Sequence, residues 1–562
     1  NFKLASVVLC LLLAILGYSQ AVTVWTRSYD NSRTNAQLEE TQLNTNNVNS
    51  RQFGKLFARN VVGHVYAQVL YVPNLRMKSG ETHNVMFVAT MANNLYAFDA
   101  DDPKKGEPLW MTNFGTTVPI DEQQYWFEHS EHCAVYTDIL IEVGIISTPV
   151  IDTATNLMYV MATNKDSDSP YTVHHRLYAV DITSGEVRLG PVVVEGSVPG
   201  TGIDAVNGVV TFNSKKQSQR HALTLVNGVV YMGFGSYCTA PPYHGWVFGY
   251  RATDLQRVFY FCTTPNSEQG SMWHSGQGMV SDGRYLYGVT TNGVFNPGTD
   301  WSNSFLKMDP TKKVASGTYA TMAQNHVVDY FTPYNWRDLY VYDLDVGTCG
   351  PLMIPGTQLL MACGKQGWCY VTNTQDMGKF SETANNNWQS FQANKNYAPD
   401  PQLYPYLRMG VHTSPTTWST PSRGRLVYIW PVADQLKALY LDPTTNRFDL
   451  TKTQYGVAGF GQTTNDPEVL FPGGALGLSA NGNMAGTGIV WASHPLDGSS
   501  NREVRHGVLR AFDASDVTKE IWNSTLVPCR DQTGYYAKFH PPMIADGKVF
   551  LGSFSQPPSR EG

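Results

Sequence analysis

The sequence predicts an all-β protein: one β-propeller of four-stranded blades, eight of them, with seven as the alternative, closed by strands from the N- and C-terminal regions. Three observations carry this. A strand–turn–strand pattern recurs along the whole chain. The turns between its strands are Asn-Gly, Asp-Gly or similar pairs, the chemistry of tight hairpins. The composition is apolar (42%) but poor in charge (15%) across 562 residues, which leaves little material for salt-bridged helix surfaces. The formal net charge of −6 also lacks the basic footprint of a nucleic-acid binder.

The N-terminal segment comes first. Lys3 precedes an apolar run from Leu4 to Leu16, which is shorter than the ~20 residues a bilayer span needs. Followed by Ser19-Gln20-Ala21, it reads as a secretory signal peptide over residues 1–21, cleaved before Val22; a retained anchor is the alternative. No later run is long enough to cross a membrane as a helix. The mature chain, residues 22–562, is therefore expected to be one secreted, extracellular propeller domain.

The repeat is clearest at Ser147–Val160 (STPVIDTATNLMYV) followed by His175–Asp181 (HRLYAVD). A first strand ends at an Asp or Asn turn, a second carries Tyr-Val, and a third reads Leu-Tyr-Ala-x-Asp. Copies recur at Asn84–Asp99, Leu223–Gly235, Gly278–Val289, Leu359–Thr372, Ser414–Asp442 and Ala475–Asp513, with a partial one at Pro542–Ser553. Eight starts give about 68 residues per copy. Units of this kind close radially and so hide their strand edges. A solenoid is the structural alternative. The last copy holds two strands, and Val22–Trp25 (VTVW) is expected to complete it and clasp the ring. Trp110 and Trp522 follow Asp99 and Asp513 near the ends of their copies, where an indole can stack between blades.

These motifs resemble the pyrroloquinoline-quinone (PQQ) repeat propellers, whose blades carry Ala-x-Asp-x-x-Thr-Gly-x-x-x-Trp. Ala179–Gly185 (AVDITSG) matches with Ser184 in place of Thr; Ala97–Asp99 with Trp110 and Ala511–Asp513 with Trp522 match at their ends. The stretches YDNSRTNAQL, GIISTPVID, PPYHGWVFGY and DYFTPYNW are similar to secreted, mostly uncharacterised PQQ-like proteins. The resemblance implies the fold. For an enzymatic member it also implies PQQ and calcium as cofactors, acting on sugars or alcohols. This sequence lacks the adjacent Cys-Cys pair of the alcohol-dehydrogenase branch, and that branch's calcium ligands have no motif here.

Histidines fall near the first strand of several copies: His64, His221, His274 beside Trp273, His412 and His540. Lining the axial channel, His64, Trp273, His274, His412 and His540 are candidate cofactor-binding residues at its mouth. Polar lining of a wet channel is the preferred alternative. His129 and His132, in the run Glu128–Cys133, are a weak metal candidate. Seven cysteines remain after cleavage, so pairing leaves an odd one. Cys238 with Cys262 and Cys363 with Cys369 are disulfide candidates, and Asn523-Ser524-Thr525 is an N-glycosylation sequon. No nucleophile elbow or phosphate loop accompanies them. The residues favour a binding or scaffold module for an extracellular protein or carbohydrate. The enzyme alternative is a PQQ- and calcium-dependent sugar or alcohol dehydrogenase.

Overall fold

The computed structural model describes residues 22–120, 138–168, 171–237, 241–312, 326–394, 410–457, 470–501 and 503–554. Among them are seven blades of four antiparallel strands, not the eight first expected, the last extended at its inner edge by the short parallel strand Ala36–Gln37. Their innermost strands are Leu70–Arg76, Val150–Asp152, Thr224–Val226, Val280–Ser281, Leu352–Met353, Thr416–Thr420 and Ala475–Ser479. We number the blades 1 to 7 in that order. Blade 3 carries an extra inner segment, Gln217–Ser218, paired to the same second strand.

The repeat's local chemistry explains each blade. Asn227 and Gly228 sit at φ of 50° and 73°, both left-handed, as a two-residue hairpin between Val226 and Val229 requires. Asp181 accepts from the Thr183 amide at 2.9 Å, and Asp442 from the Thr444 amide at 2.8 Å, so the Asp that ends the third strand folds the following turn.

Blades join through residues the repeat provides. Trp110, on the outer strand of blade 1, donates to the Ile182 carbonyl of blade 2 at 2.9 Å. Its ring lies where a Cβ on Gly185 would stand, 2.6 Å from Trp110 Cε3. Trp388 of blade 5 donates likewise to Asn446 of blade 6 at 2.6 Å. Sequence spacing did not single out Trp388, because the third strand of blade 5 ends at Asn373 and carries no terminal Asp from which to measure. The tyrosine of the second strand makes a further link: Tyr159 to the Ala252 carbonyl (2.9 Å) and Tyr428 to that of Ala514 (2.6 Å). Apolar clusters run between neighbouring sheets, for example Phe87 and Leu95 of blade 1 with Val160 and Ala162 of blade 2. Buried aliphatic area of this kind contributes on the order of 2 kcal/mol per side chain.

The eighth copy gives a two-stranded hairpin, Met543–Ala545 with Lys548–Phe550. Among the described residues no third strand joins it; Ser553–Phe554 pairs with Tyr535–Tyr536 instead. Nor does Val22–Trp25 complete it, because Val24 forms an antiparallel bridge with Tyr71 of blade 1. The hairpin closes the ring by packing: Met543 and Phe550 lie in the blade 1 cluster, and Ile544 lies with Trp491 of blade 7. No described helix is long and apolar enough to cross a membrane.

Of the disulfide candidates, Cys363 and Cys369 are direct cross-strand partners in blade 5 and are bonded, with Cα atoms 4.0 Å apart. Cys262 is a buried free thiol, so the expected bridge to Cys238 does not form; Cys238 itself lies outside the described residues. Cys262 ends the outer strand of blade 3, where its side chain packs among Trp246 and Phe248. His129 and His132 also lie outside the described residues.

Candidate functional site

A propeller's axis is the one place where every innermost strand meets, so it is the natural candidate site. Here the chain itself occupies it. Residues Val24 to Glu40 form a strap that visits the inner strands in turn. Val24 exchanges backbone hydrogen bonds with Tyr71 of blade 1, and the Trp25 carbonyl accepts from Ile151 of blade 2 at 2.8 Å. Asn31 Nδ2 donates to Leu225 of blade 3 at 3.0 Å, while its carbonyl accepts from Ser281 of blade 4 at 2.8 Å. Ser32 accepts from Met353 of blade 5 (3.0 Å), Thr34 from Thr417 of blade 6 (3.3 Å) and Asn35 from Leu478 of blade 7 (3.0 Å). The Tyr29 hydroxyl accepts from Ile544 of the last hairpin at 2.8 Å.

The strap solves a physical problem. Innermost strands have one unpaired edge, and a buried amide left unbonded costs about 1–3 kcal/mol. A polar segment with little regular structure can turn its carbonyls to each edge in succession.

Two strap arginines are buried at the centre. Arg33 is fully buried and donates to Thr26 Oγ1, to the Arg27 and Met279 carbonyls and to Thr224 Oγ1. Arg27 donates to the Phe539 carbonyl at 2.7 Å. Burial lowers Arg27 to about 9, with Arg220 and Arg33 adding to the effect, and burial lowers Arg33 to about 10. The guanidinium of Arg220 stacks on Phe539 (4.3 Å), Trp273 (5.1 Å) and Tyr66 (5.2 Å).

The five candidate channel-mouth residues surround this centre as packing elements. His64 is buried and stacks on Phe554, 4.2 Å between ring centroids. His274 is fully buried, 4.8 Å from His221, and its Nε2 bonds with the Val289 backbone at 2.9 Å. His412 packs edge-on against Phe471, which packs against Phe539, as does Trp273. His540 Nε2 accepts from the Gly552 amide at 2.8 Å. Burial lowers His64 and His274 to about 4 and His540 to about 3, so these imidazoles are neutral at pH 7. The structure thus brings Trp273 and His412 onto one aromatic plug around Phe539, and holds His64, His274 and His540 against their own neighbouring strands.

A cavity of about 10 Å³ remains at the axis, lined by Arg27, Asn35, Ser275, Gln277, Thr413 and Ser414, among others. That is room for a single water-sized species. No group of three or more His, Cys, Asp or Glu side chains gathers at one point among the described residues. Sequence reasoning missed Arg27 and Arg33. Their only signal was two arginines, with Asp30 between them, in an otherwise uncharged stretch near the N-terminal region.

Asn523 lies on the outer strand of blade 7. Its Oδ1 accepts from the Thr525 hydroxyl at 2.7 Å, and its Nδ2 donates to Glu520 at 2.8 Å.

No family model and no curated protein matches the chain. Among solved structures it is similar to a quinohemoprotein alcohol dehydrogenase from Pseudomonas putida, at a TM-score of 0.54 and 13% identity, covering 94% of this chain and 75% of that one. It is also similar to a europium-containing methanol dehydrogenase, at a TM-score of 0.52 and 11% identity, covering 93% and 87%. A quinohemoprotein alcohol dehydrogenase from Comamonas testosteroni aligns at 0.50 and 13%, covering 94% and 76%. At such identity the likeness extends to the β-propeller fold and no further.

Proposed function

We propose that this chain is an exported β-propeller that works as an extracellular binding or scaffold protein through its loops and outer surfaces. The observation that carries this reading is the filled axis. The strap, the Phe539 plug and the buried histidines take up the space in which an axial ligand would sit, leaving about 10 Å³. Small-molecule sites ordinarily measure about 300–1,000 Å³, so a tricyclic quinone such as PQQ does not fit beside these residues. Export rests on the Lys3–Leu16 segment and the Ser19-Gln20-Ala21 site; a chain beginning at Val22 would keep every strap contact among the described residues, the bridge of Val24 to Tyr71 included. An extracellular protein or a carbohydrate is the partner class consistent with that compartment, and Asn523 is the proposed glycan site.

The second reading, a PQQ- and calcium-dependent sugar or alcohol oxidoreductase, is favoured by the fold shared with quinohemoprotein alcohol dehydrogenases. One titration separates the two. The purified protein is mixed with excess PQQ and Ca²⁺, and quinone absorbance and dye reduction are followed with a panel of sugars and alcohols. The scaffold reading expects an unchanged quinone spectrum and no dye reduction. A shifted spectrum with substrate-dependent reduction overturns it, and Trp273, His274, His412 and His540 are then the residues to replace first.

A further inference from the structure

Between blades 2 and 3 the chain makes an excursion, a hairpin of Ser197–Pro199 with Val209–Thr211 whose far end is residues 200–208. Its base is anchored by apolar packing, since Val198 and Val210 are buried in the blade 3 cluster. The far end has no such anchor: Ile203 and Val206 are 63% and 70% exposed. Polar contacts to the turn after blade 3 hold it instead. The Gly202 amide donates to the Pro265 carbonyl at 2.9 Å, the Ile203 amide to that of Ser267 at 3.2 Å, and the Thr201 amide to Asn266 Oδ1 at 3.2 Å. Each bond of this kind contributes on the order of 1 kcal/mol net.

One further contact is ionic. Asp204 Oδ1 lies 2.8 Å from Nε2 of His244, a buried residue fixed in the connection between the second and third strands of blade 3 by a bridge to Gln269. The other ring nitrogen, Nδ1, lies 2.9 Å from the Thr264 carbonyl and 3.0 Å from the Thr264 hydroxyl oxygen. That hydroxyl already donates to the Gln269 carbonyl at 2.8 Å, so it faces Nδ1 as an acceptor. Both ring nitrogens therefore need a proton, and only the imidazolium makes both bonds. Burial acts to raise Asp204, but the hydrogen bond and charge of His244, with Lys216, hold it below the usual carboxylate range, so it stays ionised while an imidazole titrates.

The other charged groups around the pair have partners of their own. Lys216 donates to the Pro241 carbonyl at 3.3 Å, Asp300 accepts from the Asn266 amide and the Ser267 hydroxyl at 2.9 Å, and Glu268 accepts from the Tyr340 hydroxyl at 3.0 Å. Burial raises the neighbouring Tyr243 and Cys262, which stay neutral. We propose that His244 and Asp204 form a pH-sensitive latch: protonated His244 clamps the far end of the hairpin onto the ring, and loss of that proton as the pH rises frees residues 200–208 to move, carrying Ile203 and Val206 with them. The latch sets the mobility of a surface loop and does not depend on what that loop binds.

Hydrogen–deuterium exchange of the full chain at pH 6.0 and 8.5, read by peptide mass spectrometry and corrected for the intrinsic pH dependence of amide exchange, reports the latch at the Gly202 and Ile203 amides. Their protection should fall about tenfold from the lower pH to the higher, the scale of one charge-assisted hydrogen bond, while the strand Trp246–Arg251 changes less. His244→Gln, whose amide keeps a donor without titrating, and Asp204→Asn should each make that protection independent of pH. Asp204 is only partly buried, so Asp204→Asn keeps the test intact if His244→Gln fails to fold. Lys216→Met should leave the pH dependence in place. Equal protection at the two pH values in the parent protein, a dependence that survives both the His244 and Asp204 variants, or one that vanishes with Lys216→Met overturns the proposal.

Discussion

Arg33 Nη2 donates to Thr224 Oγ1 at 2.6 Å, tying the N-terminal strap to the inner strand of blade 3 across 191 residues of sequence. The same guanidinium holds the Met279 carbonyl just before blade 4, so one side chain spans two blades. Replacing it should loosen the ring at its centre. Arg33→Met is expected to destabilise the protein by on the order of 3 kcal/mol, because it strands several buried acceptors. Urea unfolding followed by tryptophan fluorescence measures this, and a midpoint equal to that of the parent would refute it.

The Trp110–Gly185 contact makes a sharper prediction between blades 1 and 2. Gly185 has φ of +76°, and a Cβ there would meet the indole at 2.6 Å. Gly185→Ala should therefore cost about 2 kcal/mol or more, through strain and a displaced Trp110. A substitution at Gly228, also at positive φ but with open space around it, should cost less. Comparing the two unfolding midpoints isolates the packing contribution.

The buried histidines give the molecule an acid limit. In the folded state burial holds His64, His274 and His175 near 4 and His494 and His540 near 3, whereas an unfolded imidazole titrates near 6.5. Between those values the unfolded chain binds more protons than the folded one. Stability is thus full above pH 6.5 and falls as the pH drops toward 4, by on the order of 1 kcal/mol per pH unit for each histidine. Unfolding midpoints measured from pH 7.5 to 4.5 should decline steeply below 6.5. A flat profile would show that these rings are solvated.

Cysteine labelling should divide the described thiols cleanly. Cys262 and Cys349 are buried, and burial raises both, Cys349 to about 12. Cys529 is exposed. Iodoacetamide applied to the native protein at pH 8 should modify Cys529 alone of these three, as peptide mapping by mass spectrometry would report. Reduction of Cys363–Cys369 should lower stability by roughly 2 kcal/mol, since the bridge closes a short loop on an already paired hairpin.

The blades were legible in the sequence because their causes are local. Alternation of apolar residues, an Asn-Gly pair at 227–228 and an Asp at the end of a third strand act within a few residues of each other, so each copy announces its own hairpins. The cross-strand pair Cys363–Cys369 was legible for the same reason, whereas Cys262 was misjudged because its pairing depended on strand positions that spacing does not encode. Histidine placement near the inner strands was readable, but the packing of each ring was not.

The axis was decided by tertiary structure alone. Residues 26–37 show no periodicity, and their partners lie from a few residues to more than 500 residues away, as Arg27 with Phe539 shows. The number of blades depended on the same long-range competition. Val24 bonds to Tyr71 rather than to the last hairpin, and Ser553–Phe554 turns to Tyr535–Tyr536. Local propensity therefore made the sheets, while the need to satisfy buried edges and buried charge at the centre determined how they close and what fills them.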